Sequence, residues 1–467
     1  MTFAGASRFD NSPLLESERP THVRYVVLAF LCVLSFLTYF DRICIMSVQA
    51  DIQRDLHIND FQMGWIFSAF WLAYAIFEIP GGWLGERFGS RGTLTRIVLA
   101  WSACTALTGA AGGFISLLCW RFLFGAGEAG AYPNIARVQS RWLPAQSQGR
   151  ASGTLWLVAR WGGAASPLLF GWLLMGFGSH AFRSGVAGIA ALHGLASMPA
   201  WRLGFWACGL AGIAWVILFY PFFRDDPAAK RSVNAAELQL IRSGAPDRED
   251  RAQHAAPRDR RVWKALFSSG DLWALCFFYV FGSFGWSFFV SWVPKYLKAQ
   301  GVDYSHSHLM SGLPLFCGGV ACLVGGWVSD YIVRRTGRLR LGRAVLPVAG
   351  RIVAAGAVFG LRYVHSAHYA VALMCLTMMA YDFGQGASWA AIIDIGGAHC
   401  GLAAGLVNTV GNLGGNVAQP IIGALIFNHF GWPTLFAVYA MTYLLSGAMW
   451  LFIHPDREFF PGRGGEC

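Results

Sequence analysis

Residues 81–91 read GGWLGERFGSR, and the opening six return 244 residues later as GGWVSD at 325–330. Each string ends an apolar stretch with paired glycines, where a second backbone can approach closely. It then offers a carboxylate, Glu86 or Asp330, to a turn crowded with arginines. A repeat spaced by about half the chain predicts two homologous halves in parallel orientation. That arrangement belongs to secondary transporters, which hold their substrate near the bilayer midplane between the repeats.

Composition agrees along the whole length. Of 467 residues, 55% are hydrophobic and 13% charged, against roughly 25% charged in a typical soluble domain. Mean hydropathy is +0.45. At roughly 20 residues per crossing, the chain is ample for twelve membrane helices. The apolar runs place them near 25–47, 61–82, 94–112, 115–137, 151–176, 201–223, 271–297, 307–329, 345–364, 369–394, 401–427 and 432–453. The expected fold is an all-α membrane protein with twelve transmembrane helices in two six-helix, pseudo-symmetric halves.

The domain reading comes from these runs. Residues 1–23 form a cytoplasmic N-terminal segment, 24–223 the first half, 224–270 a polar cytoplasmic linker, 271–454 the second half and 455–467 a cytoplasmic tail. The N-terminal segment carries Asp10, Glu16 and Glu18 without a short apolar core and cleavage site, so no signal peptide is expected. Within the linker, Asn234 to Arg242 reads as a short amphipathic helix with Leu238 and Ile241 on one side. Arginines set the orientation. Arg87, Arg91 and Arg96, then Arg137, Arg141 and Arg150, then Arg334, Arg335, Arg338, Arg340 and Arg343 crowd the even-numbered turns. Both termini are therefore expected in the cytoplasm, in a multi-pass protein of the inner membrane.

Several function classes drop out. The net charge of +11 is spread by topology and gathers in no single patch, which argues against a nucleic-acid partner. Eleven cysteines stand singly with no CxxC pair, and those inside spans, such as Cys104, Cys276 and Cys375, read as small packing groups. No nucleophile, metal or cofactor motif supports an enzyme, so none of these groups is expected. Composition alone implies the lipid bilayer as partner.

Four ionisable residues sit inside spans: Asp41 and Arg42 in the first, Arg121 and Glu128 in the fourth. Such a group near the bilayer centre costs at least about 2.5–3.5 kcal/mol, so it persists where it pairs, lines water or relays protons. The four charges sum to zero. Arg121 and Glu128, seven apart, share a helical face, and one bundle can gather all four around a cavity. Arginine suits permanent anion recognition because its planar fork takes a carboxylate bidentately and never loses its charge. A carboxylate does the opposite work, exchanging a proton when its surroundings change. The bland alternatives are helix-end pairing for Asp41 with Arg42 and a structural bridge for Arg121 with Glu128.

Further strings carry a family resemblance: YFDR at 39–42, RFLFGAGEAGAYPN at 121–134, WRLGFWACG at 201–209, FFRDDP at 222–227 and VNTVGNLGGNVAQP at 407–420. With GGWLGERFGSR they resemble the anion:cation symporter family of the major facilitator superfamily, with Glu86 where Asp is commoner. Its bacterial members carry sugar acids such as galactonate, glucarate and hexuronates. The resemblance implies a small organic anion and protons as partners, for a monomeric carrier. Similarity to the proton-coupled sugar-acid symporters implies that Asp41 and Glu128 exchange protons, that Arg42 meets the substrate carboxylate and that Arg121 balances Asp41. It implies also that Tyr39 and Tyr74 face the cavity, and that Ser388, Trp389 and one of Asn408 or Asn412 contact sugar hydroxyls. Where such carriers commonly have Gln or Asn on the fifth helix, this chain has Ala159 and Arg160. Arg160 is then either a second anion contact or the partner of an acid elsewhere.

The switch between states is expected at the repeated strings. Glu86 with Arg87 and Arg91, and Asp330 with Arg334, should form ion pairs that close the inner side. Asp382 and Asp394, on the tenth span, read as gating or capping groups, and Glu78, just before Pro80, as a partner of the arginine-rich turn. The segment 180–200 lengthens an outer loop and carries no functional reading.

Overall fold

The computed structural model describes residues 19–187, 195, 197–243, 260–293, 296–297, 300–301, 304–364, 366–421 and 428–460. Twelve helical spans occur in the expected order. The first half runs Val23–Ser47, Asp60–Phe88, Ser90–Gly109, a divided fourth span of Phe114–Glu128 and Ala131–Trp142, Gln148–Gly178, and Ala200–Phe222. The second runs Gly270–Ser291, Tyr304–Thr336, Leu339–Gly360, a divided tenth span of Ala367–Phe383 and Gln385–Gly396, Cys400–Ile421, and Asn428–Ala448. Among the described residues, seven stretches are long and apolar enough to cross a membrane unaided, one of them passing from the tenth span into the eleventh. Gly270–Trp286, bent by 55° from Arg260–Ser268, makes an eighth. The fourth span falls short because its break leaves pieces of 15 and 12 residues.

Local chemistry explains the boundaries. Asn59 opens the second span with a reciprocal cap, its side chain accepting from Gln62 N at 2.8 Å while its own N–H donates to Gln62 Oε1 at 3.1 Å. Asp225 accepts from the first amides of the third span, at Ser90 and Arg91. Linker residues Ala235–Arg242 are helical with Ile241 buried and Leu238 partly so, as their pattern predicts. Glu237 adds what the pattern does not predict, accepting from Arg24 N and Arg24 Nη1, each at 3.0 Å, and fastening the linker to the start of the first span. Residues 1–18, 188–194, 244–259 and 461–467, parts of the expected N-terminal segment, outer loop, linker and tail, lie outside the described residues, as do 422–427 of the expected eleventh span.

The glycines of the repeated strings do equivalent work in the two halves. Gly81 crosses the break of the fourth span, where a methyl on Gly130 would stand 2.6 Å from Gly81 Cα. Gly325 crosses the break of the tenth, where a methyl would overlap the Phe383 carbonyl. The halves themselves join where Gly149 and Gly153 of the fifth span meet Gly326 and Cys322 of the eighth, and where Gly82 of the second meets Gly401 of the eleventh.

Gly130 adopts φ +85°, so Gly130→Ala adds left-handed strain, about 1–3 kcal/mol, to a backbone clash. We expect the detergent-solubilised variant to melt several degrees below the parent by tryptophan fluorescence. Gly92→Ala, at a helical site with nothing within 4 Å, should melt no lower than the parent.

Candidate functional site

The first and fourth spans bring the predicted charges together. Arg42 Nε donates to Glu128 Oε1 at 2.6 Å, with the two side chains 10% and 0% exposed. Arg42 also lies over the rings of Tyr74 and Tyr39, 4.4 and 5.4 Å from their centroids. Its terminal Nη2 and Glu128 Oε2 are buried with no hydrogen bond. The Glu128 partner is therefore Arg42 and not Arg121. Arg121 packs on Phe124 and Phe70, with Nε unpartnered, close to an equally buried Asp41 whose Oδ1 makes no hydrogen bond. No Arg121–Asp41 ion pair within 4 Å is formed among the described residues. Neither group lines the cavity between the halves.

A cavity between the halves is lined by Tyr39, Arg42, Tyr74, Arg160, Asn408 and Asn412, all predicted, and by Tyr132, Trp156, Tyr279, Ser283, Trp286, Tyr381 and Gln385. Ser388 and Trp389 do not line it. Ser388 Oγ donates to Gly384 O at 2.9 Å, and Trp389 is 1% exposed beneath Tyr132 and Trp156, their ring centroids 5.8 and 5.6 Å away. The tenth span stops at Gly384 and restarts at Gln385, which lines the cavity, while Trp389 one turn further along the same face is buried beneath it. Only the glycine in GQG could have signalled that break.

Two cross-links between halves were only half legible. Arg160 meets Asp382 bidentately, Nε to Oδ2 at 3.1 Å and Nη2 to Oδ1 at 2.8 Å, and also lines the cavity. Glu78, fully buried, turns away from the arginine-rich turn and bonds Asn408, with Thr409 Oγ1 at 3.5 Å. A further buried cation, Arg351, went unread in the sequence. It donates to Tyr381 O at 2.8 Å and Ser446 Oγ at 3.1 Å.

At the end carrying both described terminal segments and the linker, Glu86 and Asp330 reach across to the opposite half. Glu86 Oε1 accepts from Leu402 N at 2.9 Å and Oε2 meets His399 Nδ1 at 2.8 Å. Asp330 accepts from Gly149 N and Arg150 N at 3.0 and 2.8 Å, and pairs with Arg343 at 3.0 Å and Arg150 at 3.4 Å. Arg343 bridges on to Asp394 at 3.1 Å. Each carboxylate thus sits on the N-terminus of a helix in the other half, where free amides and the helix dipole favour an anion. The expected partners Arg87, Arg91 and Arg334 are otherwise engaged. Arg87 lies over Trp83 and Phe88, Arg91 donates to Tyr220 O at 2.7 Å, and Arg334 donates to the Asp330 carbonyl at 3.3 Å.

The sequence profile of the Major Facilitator Superfamily matches residues 31–418. The chain belongs to that superfamily. Its relatives include a probable sulfoacetate transporter of Cupriavidus necator, 32% identical over 91% of both chains. A probable galactarate/D-glucarate transporter of Bacillus subtilis is 29% identical over 90% of both, and an Escherichia coli D-galactonate transporter is 27% identical over 93% of this chain and 96% of its own. The facilitator fold recurs in the proton:xylose symporter, with TM-score 0.70, 15% identity and coverage of 92% and 96%. It is seen again in the transporter FucP, with TM-score 0.66, 14% identity and coverage of 92% and 99%. This facilitator is thus a multi-pass membrane protein related to carriers of sugar acids and other organic anions.

Glu86→Gln with Asp330→Asn removes both charges from the helix ends while keeping shape. Charge-assisted bonds contribute roughly 1.5–3 kcal/mol each, so the joined end should open at least about tenfold more often. Hydrogen-exchange mass spectrometry should find the amides of 149–153 and 401–405 exchanging faster by that factor. Unchanged exchange at both segments would make these carboxylates plain anchors.

Proposed function

We propose that this facilitator imports a small organic anion together with protons by alternating access, and that sugar acids, meaning aldonates, aldarates or hexuronates, are its substrate class. The observation that carries the reading is the Arg42–Glu128 pair, in which a buried arginine on the cavity wall spends only Nε on its carboxylate and keeps Nη2 without a partner. Protonating Glu128 loosens its hold and frees the fork for a substrate carboxylate. When the proton leaves, Glu128 reclaims Arg42 and expels the anion. Asp41, set beside Arg121, is the second proton-exchanging group. Tyr39, Tyr74, Asn408 and Asn412 supply neutral hydrogen bonds to hydroxyls.

Orientation completes the proposal. The arginine-rich turns face the cytoplasm of a bacterium across its inner membrane, both termini lie on that side, and the protein acts as a monomer. The end joined through Glu86 and Asp330 is then the cytoplasmic gate, with Arg87, Arg91 and Arg334 anchoring its turns. Relatives named for galactonate and for galactarate/D-glucarate support the sugar acids. The relative named for sulfoacetate favours a second reading, a short sulfonated acid on the same arginine.

A thermal-shift panel of aldonates, aldarates, uronates and sulfoacetate tests both readings, since ligand at a hundred times its dissociation constant stabilises by about 2.7 kcal/mol. The stabilising acid should lose binding in calorimetry with Arg42→Ala, and Arg42→Lys should restore little because an ammonium lacks the fork. Near-normal affinity in the alanine variant would remove Arg42 from the site.

Proton coupling has its own test. Glu128→Gln imitates the protonated acid, so vesicles carrying it should still bind and exchange the anion at equal pH. Accumulation driven by an imposed pH gradient should be lost, and gradient-driven uptake at the parent rate would leave Glu128 a structural partner of Arg42.

A further inference from the structure

Arg160 and Asp382 form a second buried arginine–carboxylate pair, with side chains 5% and 0% exposed. It ties the fifth span of one half to the tenth of the other, two residues before the break at Gly384. Arg160 lines the same cavity as Arg42. Tyr39 feels both guanidiniums, and Arg160 lies between Trp286 and Trp156, 5.0 and 5.6 Å from their ring centroids. The cavity thus presents two forks around one tyrosine, each held by a carboxylate for which a ligand's anionic group is a like-for-like replacement.

We propose that the cavity selects small dianions, one anionic group on Arg42 and the other on Arg160, and that Asp382 takes up a proton when the ligand displaces it. This rests on the organic-anion reading given above. A buried arginine stripped of its partner is strongly destabilising, so Arg160 changes partners only for another anion. The charges balance. The second anionic group enters with one proton drawn from the water of the open side, and that proton leaves when Asp382 returns to Arg160. Asp382 is paired with Arg160, and the titratable groups near enough to interact with it are Tyr39 from the first half, Cys322 of the eighth span, neighbouring Tyr381, and Tyr443 of the twelfth. Arg351 of the ninth is committed to Tyr381 O and Ser446. Because the pair spans the halves, a monoanion leaves this tie closed and a dianion opens it.

The test uses the purified full-length protein and two matched pairs of acids differing by one carboxylate, glucarate with gluconate and succinate with butyrate. Calorimetry should show at least one dianion bound about ten- to a hundredfold more tightly than its monoanion, the range of a charge-assisted hydrogen bond. Arg160→Gln combined with Asp382→Asn, which leaves no orphan buried charge, should bring that dianion to the level of its partner. In lightly buffered solution, Asp382→Asn alone should lower proton uptake per bound dianion by one. No dianion preference in the parent, a preference surviving the double substitution, or unchanged proton uptake overturns the proposal. Binding of a monoanion that is lost in Arg42→Ala, with no dianion preference, would retain the organic-anion site and reject only its selectivity.

Discussion

An ion enclosed by apolar helices must bring its counter-charge or its hydrogen-bond partners with it, and this bundle is arranged around that demand. The buried arginines Arg24, Arg42, Arg160 and Arg343 each meet a carboxylate within 3.1 Å. The pairs lie in different places with different consequences. Glu237 with Arg24 pins the linker, Asp330 and Asp394 with Arg343 organise one end of the second half, and Asp382 with Arg160 crosses the centre. Arg42 with Glu128 alone leaves both members partly unsatisfied, and it is there that the cavity opens.

The glycines make this charge arrangement geometrically possible. Fourth and tenth spans are broken at corresponding places, and in each half the break is crossed by the first glycine of the repeated string. A break frees helix-end amides and carbonyls inside the bundle, and only a side chain as small as hydrogen lets another backbone come close enough to cover them. In the tenth span the helix restarts just past the break, with Gln385 on the wall and Trp389 one turn deeper beneath it. Around the cavity Tyr132, Trp156 and Trp389 form an aromatic floor, with Tyr132 and Trp156 stacked at 5.2 Å. Such a floor excludes water from the charged pairs beside it and raises their electrostatic strength.

Much of this was legible in the sequence. The span order came from apolar runs of membrane length, because hydropathy is a local sum. The duplication came from GGWLGE and GGWVSD, the gathering of Arg42 and Glu128 from charges that have no business in an apolar run, and Tyr39 and Tyr74 from the family resemblance alone. Partner choice was not legible. Glu86 looked made for Arg87 and Arg91 in its own turn, yet a helix N-terminus more than 300 positions distant holds it. Asp382 with Arg160 lies 222 residues apart, and no periodicity reports such a pairing. Ser388 and Trp389 were assigned by resemblance alone, and in this structure one bonds the Gly384 carbonyl while the other packs beneath Tyr132 and Trp156.

The crosswise seating of Glu86 and Asp330 has a consequence for the kinetics of the closed end. Each half contributes one anion and receives one, so the two contacts are related by the pseudo-twofold and share a single rigid-body coordinate. Tilting the halves apart pulls both carboxylates from their amide seats together, because packed helices move as units and do not stretch. Half-unlatched arrangements, with one seat empty and one filled, would strain the fifth–eighth and second–eleventh glycine contacts without releasing either. Under the proposed gating motion the end acts as a two-position catch with little population between, and the duplicated halves supply cooperativity inside a single polypeptide.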